Sequence, residues 1–303
     1  MRQRLLFGPV LIAMLVGLLW LDGWLAGRGM PEGVARLFGH ADGVGHWPAG
    51  TIVLPIMLVL SIWGARELAA ILKDEGVVAS RRVLGLAAAS GMLASSIVPA
   101  VLPGDVAAAC VSTVAALVLA ISLLYYSKDR DPRGIITAAG GVMLGFVYLG
   151  LLFGFVLAIR RGHSPWVLLW ILATTKACDI GAYFTGKAIG RHKLIPWLSP
   201  GKTWEGLGGG ITLAAGVGAA GLWLLREYDG ATLAIWHGLV VGAACAAVGQ
   251  LGDLVMSLFK RDAGVKDSGQ SLPGFGGILD VLDSPLLVAP IAFWWLKAHA
   301  GAI

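Results

Sequence analysis

TLAIWHGLVVGAACAAVGQLGDLVM (232–256), SLFKRDAGVKDSGQSLPGFGGILDVLD (257–283) and SPLLVAPIAFWWLKAHA (284–300) follow one another near the end of the chain. The outer two are apolar runs close to the roughly 20 residues that carry a helix across a hydrocarbon core. The middle one gathers carboxylates, cations and glycines between them, which reads as phosphate and metal chemistry held at a bilayer surface. Working outward, further candidate spans lie at 5–24, 47–66, 83–102, 105–126, 135–159, 165–186 and 208–225. The third and fourth of the full set divide at Pro103 and Gly104. With 57% hydrophobic and 14% charged residues, the chain reads as an all-α polytopic integral membrane protein. About nine transmembrane helices are expected. A closed barrel would need short segments of alternating polarity, which are absent, so helices must satisfy the backbone within lipid.

The cations set an orientation. With Arg2 and Arg4 inside, alternation over these spans puts Lys73, Arg81, Arg82, Lys128, Arg130, Arg133, Lys187, Arg191, Lys193, Lys202, Lys260, Arg261 and Lys266 on the same side. Arg28, Arg36, Arg160, Arg161, Arg226 and Lys297 fall on the other. The bias predicts a cytoplasmic N-terminus in a bacterial-type plasma membrane, with loops 187–207 and 257–283 facing the cytoplasm. Excess positive charge suits anionic membrane lipids. Nothing points to nucleic acid, because no basic helix or aromatic platform stands outside the lipid.

Residues 1–164 read as N-terminal and middle membrane helices, and 165–303 as a C-terminal catalytic region carrying both polar loops. The first span is long and continuous and has no small-residue cleavage site, so it reads as a retained anchor. Small-residue faces such as Ala87 to Gly91 allow close helix approach and permit a homodimer. Cys110, Cys178 and Cys245 each fall in a span without a metal-binding pattern and read as packing.

Three places carry chemistry. Lys176 and Asp179, three apart within the sixth span, share a helix face; they either pair to lock helices or expose Asp179 to a water-filled site continued by Tyr183 and Lys187. In RHKLIPWLSPGKTWEGLGGG, Gly201, Lys202 and Thr203 imitate a Walker loop, but the glycine required five residues earlier is Pro196. What remains is a turn at Ser199 and Pro200, then Lys202, Thr203 and Glu205 at the start of a Gly-rich helix, where backbone NH groups can hold phosphate oxygens. In the last loop, Asp253, Ser257, Lys260 and Arg261 fall on roughly one face of a helix leaving the membrane. Lys266, Asp267 and Ser268 sit in a turn, and Asp280 and Asp283 share a face at the start of the last helix. Carboxylates from two helices among several cations suit a magnesium-nucleotide.

The run Gln250 to Ser284 resembles the signature of phosphatidate cytidylyltransferases, the CDP-diacylglycerol synthases, through Gly252, Asp253, Ser257, Lys260, Arg261, Lys266, Asp267, Ser268, Pro273, Gly276, Gly277, Asp280 and Asp283. DIGAYFTGKAIGRHKL and SPGKTWEG are also similar to family motifs. The resemblance is close over 165–300 and extends to the first half only as a pattern of spans. Two positions depart: Phe275 stands where the family pattern has histidine, and Val281 where it has arginine.

The resemblance implies CTP and phosphatidate as substrates, CDP-diacylglycerol and pyrophosphate as products, and a divalent metal, expected to be magnesium with room for a second, monovalent cation. On that basis Asp253 and Asp280 are expected to hold magnesium and, with Lys260 and Arg261, to form the catalytic set. Asp283 and Asp179 support the metal. Ser199, Lys202, Thr203, Glu205, Ser257, Lys266, Asp267, Ser268 and Asp179 are expected to contact substrate. Two other readings stand beside an active enzyme: a relative with altered substrate or lost turnover, on account of Phe275 and Val281, and a transporter lined by polar residues. Transporters place their sites near the midplane, whereas the charge here gathers at one end.

Overall fold

The computed structural model describes residues 2–37, 45–129, 132–272, 274 and 276–303. The helices are α1 (Arg2–Ala26), α2 (Glu32–Leu37), α3 (Val53–Asp74), α4 (Arg81–Ser96), α5 (Val98–Val101), α6 (Gly104–Tyr126), α7 (Ile135–Gly145), α8 (Leu152–Gly162) and α9 (Pro165–Ile189). A π-helical segment, Phe146–Leu151, joins α7 to α8. Two short strands, β1 (Lys193–Ile195) and β2 (Ser199–Thr203), precede α10 (Trp204–Tyr228), α11 (Trp236–Asp262) and α12 (Leu279–Ala298).

Among the described residues, eight helical segments are long and apolar enough to cross a membrane: α1, α3, α6, α7 with α8, α9, α10, α11 and α12. They coincide with eight of the expected spans. The expected span 83–102 is instead the 16-residue α4 followed by the four-residue α5, with Pro99 near the start of the second. Proline lacks the N–H that would continue the ladder, so the helix is interrupted there. Even so, α4 runs about 24 Å at 1.5 Å per residue, and its ends meet opposite ends of the bundle. At its start Ser80 N donates to Tyr126 Oη (2.7 Å), and at its finish Arg161 Nη1 donates to the Ser96 carbonyl (2.7 Å).

Polar contacts of this kind sort the molecule into two ends. One gathers the Asp22–Arg160 ion pair (2.6 Å), Ser164 with Asp229, and Thr232 with the Ala302 carbonyl. Asp22 is buried and also accepts from the amides of Gly50 (3.0 Å) and Ile52 (2.7 Å), which caps the start of α3. The other end carries the hairpin, the end of α11 and the loop before α12. Between them lies the apolar interior, with Leu68, Leu84, Leu149, Phe153, Leu168, Leu222, Met256 and Leu279 almost wholly enclosed. Val10, Ile12, Leu117 and Ile121 are exposed on α1 and α6, as hydrocarbon-facing side chains would be. Cys178 and Cys245 are buried and Cys110 is half-buried; all three are free.

Small residues let backbones touch where the polar end is assembled. A Cβ on Gly181 of α9 would lie 2.8 Å from the Gly209 carbonyl of α10, and one on Gly252 of α11 would lie 2.5 Å from the Asp283 carbonyl of α12. The first contact seats α10 on α9; the second presses α12 against α11 at the residue before Asp253.

Candidate active site

Thr203 ends β2 and caps α10, its hydroxyl accepting from Gly206 N (3.1 Å). Glu205, in the first turn, accepts from the amides of Arg191 (3.1 Å) and His192 (3.2 Å) and meets His192 Nδ1 at 2.5 Å. The antiparallel hairpin is thereby clasped at its base. From it Lys202 Nζ reaches Asp253 of α11 at 2.6 Å. Arg261, two turns further along α11, approaches the Leu198 carbonyl of the hairpin (3.4 Å).

The loop before α12 folds around Asp280. Its Oδ1 meets Lys260 Nζ at 2.7 Å, and its Oδ2 accepts from Ser268 N, Ser268 Oγ and Gly277 N, each at 2.9 Å. Both oxygens are therefore engaged by side chains and amides of the chain itself. Gly276 has φ +92°, a left-handed conformation that glycine adopts without a Cβ penalty. A Cβ there would also stand 2.7 Å from Asp280 Oδ2.

Asp283, one turn on, is 4% exposed and accepts from the amide and hydroxyl of Ser284 (2.6 and 3.2 Å). It lies close enough to Lys176, Asp253 and Asp179 to feel their charges. Tyr148, on the π segment, is buried near Asp283 and Asp253 with its hydroxyl unpartnered, and Gln250 Nε2 is buried and unpartnered as well. Such orphaned groups ask for a ligand or water. Among the described residues no three His, Cys, Asp or Glu side chains converge into a ready-made cation site.

Two cavities meet here. A polar one of about 290 Å³ is walled by Asp179, Tyr183, Lys202, Thr203, Gln250 and Asp253. An apolar groove of about 440 Å³ runs between α1, α3, α9 and α12, past Leu15, Met57, Leu172 and Val281, and reaches Lys176 and Asp179. Asp179 belongs to both. It also pairs with Lys176, three residues away on the same helix (3.2 Å), so that pair does not itself tie two helices together.

A sequence profile of the Cytidylyltransferase family matches residues 44–299. The chain belongs to the cytidylyltransferase family. It is 40% identical over 136 residues to a phosphatidate cytidylyltransferase of Haemophilus influenzae, covering 44% of this chain and 45% of that relative. It is 36% identical over 183 residues to a phosphatidate cytidylyltransferase of Bacillus subtilis, covering 60% of this chain and 66% of the relative. It is also 35% identical over 181 residues to the uncharacterized protein YnbB of Escherichia coli, covering 55% of this chain and 56% of the relative. The chain thus spans between 45% and 66% of the length of these relatives.

In this cytidylyltransferase-family chain, Asp179, Lys202, Thr203 and Asp253 come together at the polar cavity, and Lys260, Ser268 and Asp280 form a second cluster at the loop. Asp283 is buried on α12, where its backbone packs against Gly252, the residue before Asp253. Ser257 is buried in α11 and Ser199 half-buried at the start of β2, while Arg261, Lys266 and Asp267 are exposed at the rim. Glu205 holds the hairpin's base instead of lining the cavity. Pro273 and Phe275 lie outside the described residues. Sequence reasoning passed over Tyr148 and Glu67, both in the half read as ordinary span and loop material. The signal for Glu67 was present: in WGARELAAIL the apolar pattern continues beyond the expected span end at 66, so the acid sits inside a helix.

Proposed function

We propose that this chain joins CTP to phosphatidate, giving CDP-diacylglycerol and pyrophosphate, at the end of the bundle that carries the hairpin. The observation that carries this reading is Asp179, which walls both a polar cavity lined by Lys202 and Asp253 and an apolar groove fit for acyl chains. A lipid phosphate at the mouth of the groove would face a nucleotide phosphate in the cavity. An oxygen of the lipid phosphate attacks the α-phosphorus of CTP; a P–O bond forms as the α–β anhydride bond breaks, and pyrophosphate departs with the electron pair. The attacking group is already anionic, so no strong base is needed, and the chain's work is in-line positioning and neutralisation of charge.

Lys202, Lys260, Arg261 and Lys266 serve the phosphates, with Ser199, Thr203 and Ser257 as hydrogen-bonding partners. Magnesium, when bound, supplies charge neutralisation on the polyphosphate. The donor set fits it: Asp253 and Asp283 offer hard carboxylate oxygens, and the cavity that Asp253 lines also holds Gln250, whose Nε2 is buried without a partner. Magnesium keeps several waters and takes one or two protein carboxylates plus phosphates, so a three-acid cluster is not required. Asp280 would join only on release of Lys260. The hairpin end would face the cytoplasm, a reading supported by the excess of lysine and arginine there.

The test is CTP-dependent formation of CDP-diacylglycerol from phosphatidate by detergent-purified protein, with and without magnesium, beside Asp280→Asn. Product that needs magnesium and is missing from the folded control supports the reading; a folded wild-type protein that yields none sinks it. One observation favours a second reading, a relative with altered substrate: Val281 lines the apolar groove where the family pattern has arginine, leaving Lys176 as the cation at the groove's polar end. Turnover with another lipid phosphate acceptor, and none with phosphatidate, would select it.

A further inference from the structure

The Lys260–Asp280 cluster is anchored by a side chain from far up the chain. Glu67 of α3 is 6% exposed, and its carboxylate faces four donors, one of which, the Ser268 hydroxyl, shares its single proton with Asp280. Oε1 takes Ile278 N (3.0 Å) and Ser271 Oγ (2.5 Å); Oε2 takes Leu279 N (3.0 Å) and Ser268 Oγ (3.1 Å). The two amides open α12, where helical N–H groups have no partner within the helix. The two hydroxyls come from the other end of the loop, so one carboxylate ties both ends of 268–279 to α3. The space is cut to that carboxylate. A Cβ on Gly269 would stand 3.0 Å from Oε1, and one on Gly277 would overlap Oε2 and Ser268 Oγ.

Ser268 links this anchor to the cluster. Its hydroxyl lies 3.1 Å from Glu67 and 2.9 Å from Asp280, and its amide donates to the same Asp280 oxygen. Asp280 in turn holds Lys260. We propose that Glu67 is a positioning residue for cytidylyl transfer: without touching substrate, it sets Ser268 and the first turn of α12 so that Asp280 presents Lys260 to the reacting phosphates. The kinetic half of this inference rests on the function proposed above; the structural half does not.

Glu67→Gln preserves volume but puts an NH₂ where two of the four donors need an acceptor. Hydrogen exchange at Ile278 and Leu279 in detergent is expected to accelerate by about tenfold or more relative to the rest of α12. Turnover is expected to fall on the order of 100-fold, the effect of misplacing a reacting group by about 1 Å, with KM for CTP moving less than about threefold. Because the two residues act in series, Ser268→Ala in the Glu67→Gln background is expected to lose little more. Unchanged exchange protection at both amides, or losses that multiply independently in the double variant, would overturn the proposal. Should Glu67→Gln not fold, Ser271→Ala removes one of the four donors and is expected to move both readouts in the same direction by less; no movement overturns it. A wild-type protein without cytidylyl transfer defeats the functional reading alone, and the exchange rates still decide the anchor.

Discussion

Gly252→Ala adds a single methyl group where α11 meets α12. That carbon would lie 2.5 Å from the Asp283 carbonyl, 2.9 Å from Ser284 Cα and 3.0 Å from the Asp283 carbonyl carbon, all backbone atoms that cannot rotate away. Ordinary contact begins at 3.4 Å, so the helices must part by about 0.9 Å. Overpacking of this kind costs about 1–3 kcal/mol. The parting also carries Asp283 away from Asp253, and a misplacement near 1 Å costs roughly 100-fold in rate. Gly216→Ala is the matched control: nothing lies within 4 Å of its Cβ position in α10, and helix propensity alone favours alanine by about 1 kcal/mol. The assay is CDP-diacylglycerol formation and thermal unfolding in one detergent for both variants. Gly252→Ala with wild-type turnover and an unfolding midpoint equal to that of Gly216→Ala would refute the claim that backbone contact at this residue sets the spacing of the two aspartates.

Three further outcomes follow from the geometry. Lys202→Met removes the cation that bridges hairpin and α11 across the polar cavity, and is expected to raise KM for CTP at least about tenfold, read from initial rates, because a charge-assisted phosphate contact is lost. Asp22→Asn leaves Arg160 buried without its counter-charge, at a cost of about 3–5 kcal/mol; the unfolding midpoint should drop while turnover per folded molecule stays unchanged, since the pair lies at the end remote from the hairpin. Chelation of divalent ions is expected to abolish product formation and, on magnesium addition, to be reversed, with Asp253→Asn and Asp283→Asn shifting the magnesium requirement to higher concentration.

Most of the membrane architecture could be read from the chain because each long helix writes a continuous apolar run. The exception is instructive: 83–102 has the composition of a span, but Pro99 interrupts the helix and leaves a 16-residue α4 whose reach between the two ends of the bundle shows only in its partners, Tyr126 and Arg161. Asp253 announced itself as a carboxylate among Leu251, Leu254 and Val255. The hairpin did not, because Ser199 and Pro200 read as a turn and a three-residue β1 is too short to show alternation. Asp280 was legible as an acid in a polar loop, but its four donors were not, since Ser268, Gly277 and Lys260 reach it by folding of the loop. Glu67 could be read as an acid inside a helix, but its partners could not: they lie some two hundred positions away, and no local pattern encodes a contact at that distance.

The Asp22–Arg160 pair has a consequence for biosynthesis. Asp22 leaves the ribosome in the first apolar segment, and its counter-ion follows only after α3, α4 and α6 have been made. A carboxylate buried without its counter-ion is costly, so Asp22, near the end of the first segment, keeps the company of water at the interface until Arg160 arrives. Its final seating is then a late event in insertion, and the amides of Gly50 and Ile52, held by the same carboxylate, lock into place with it.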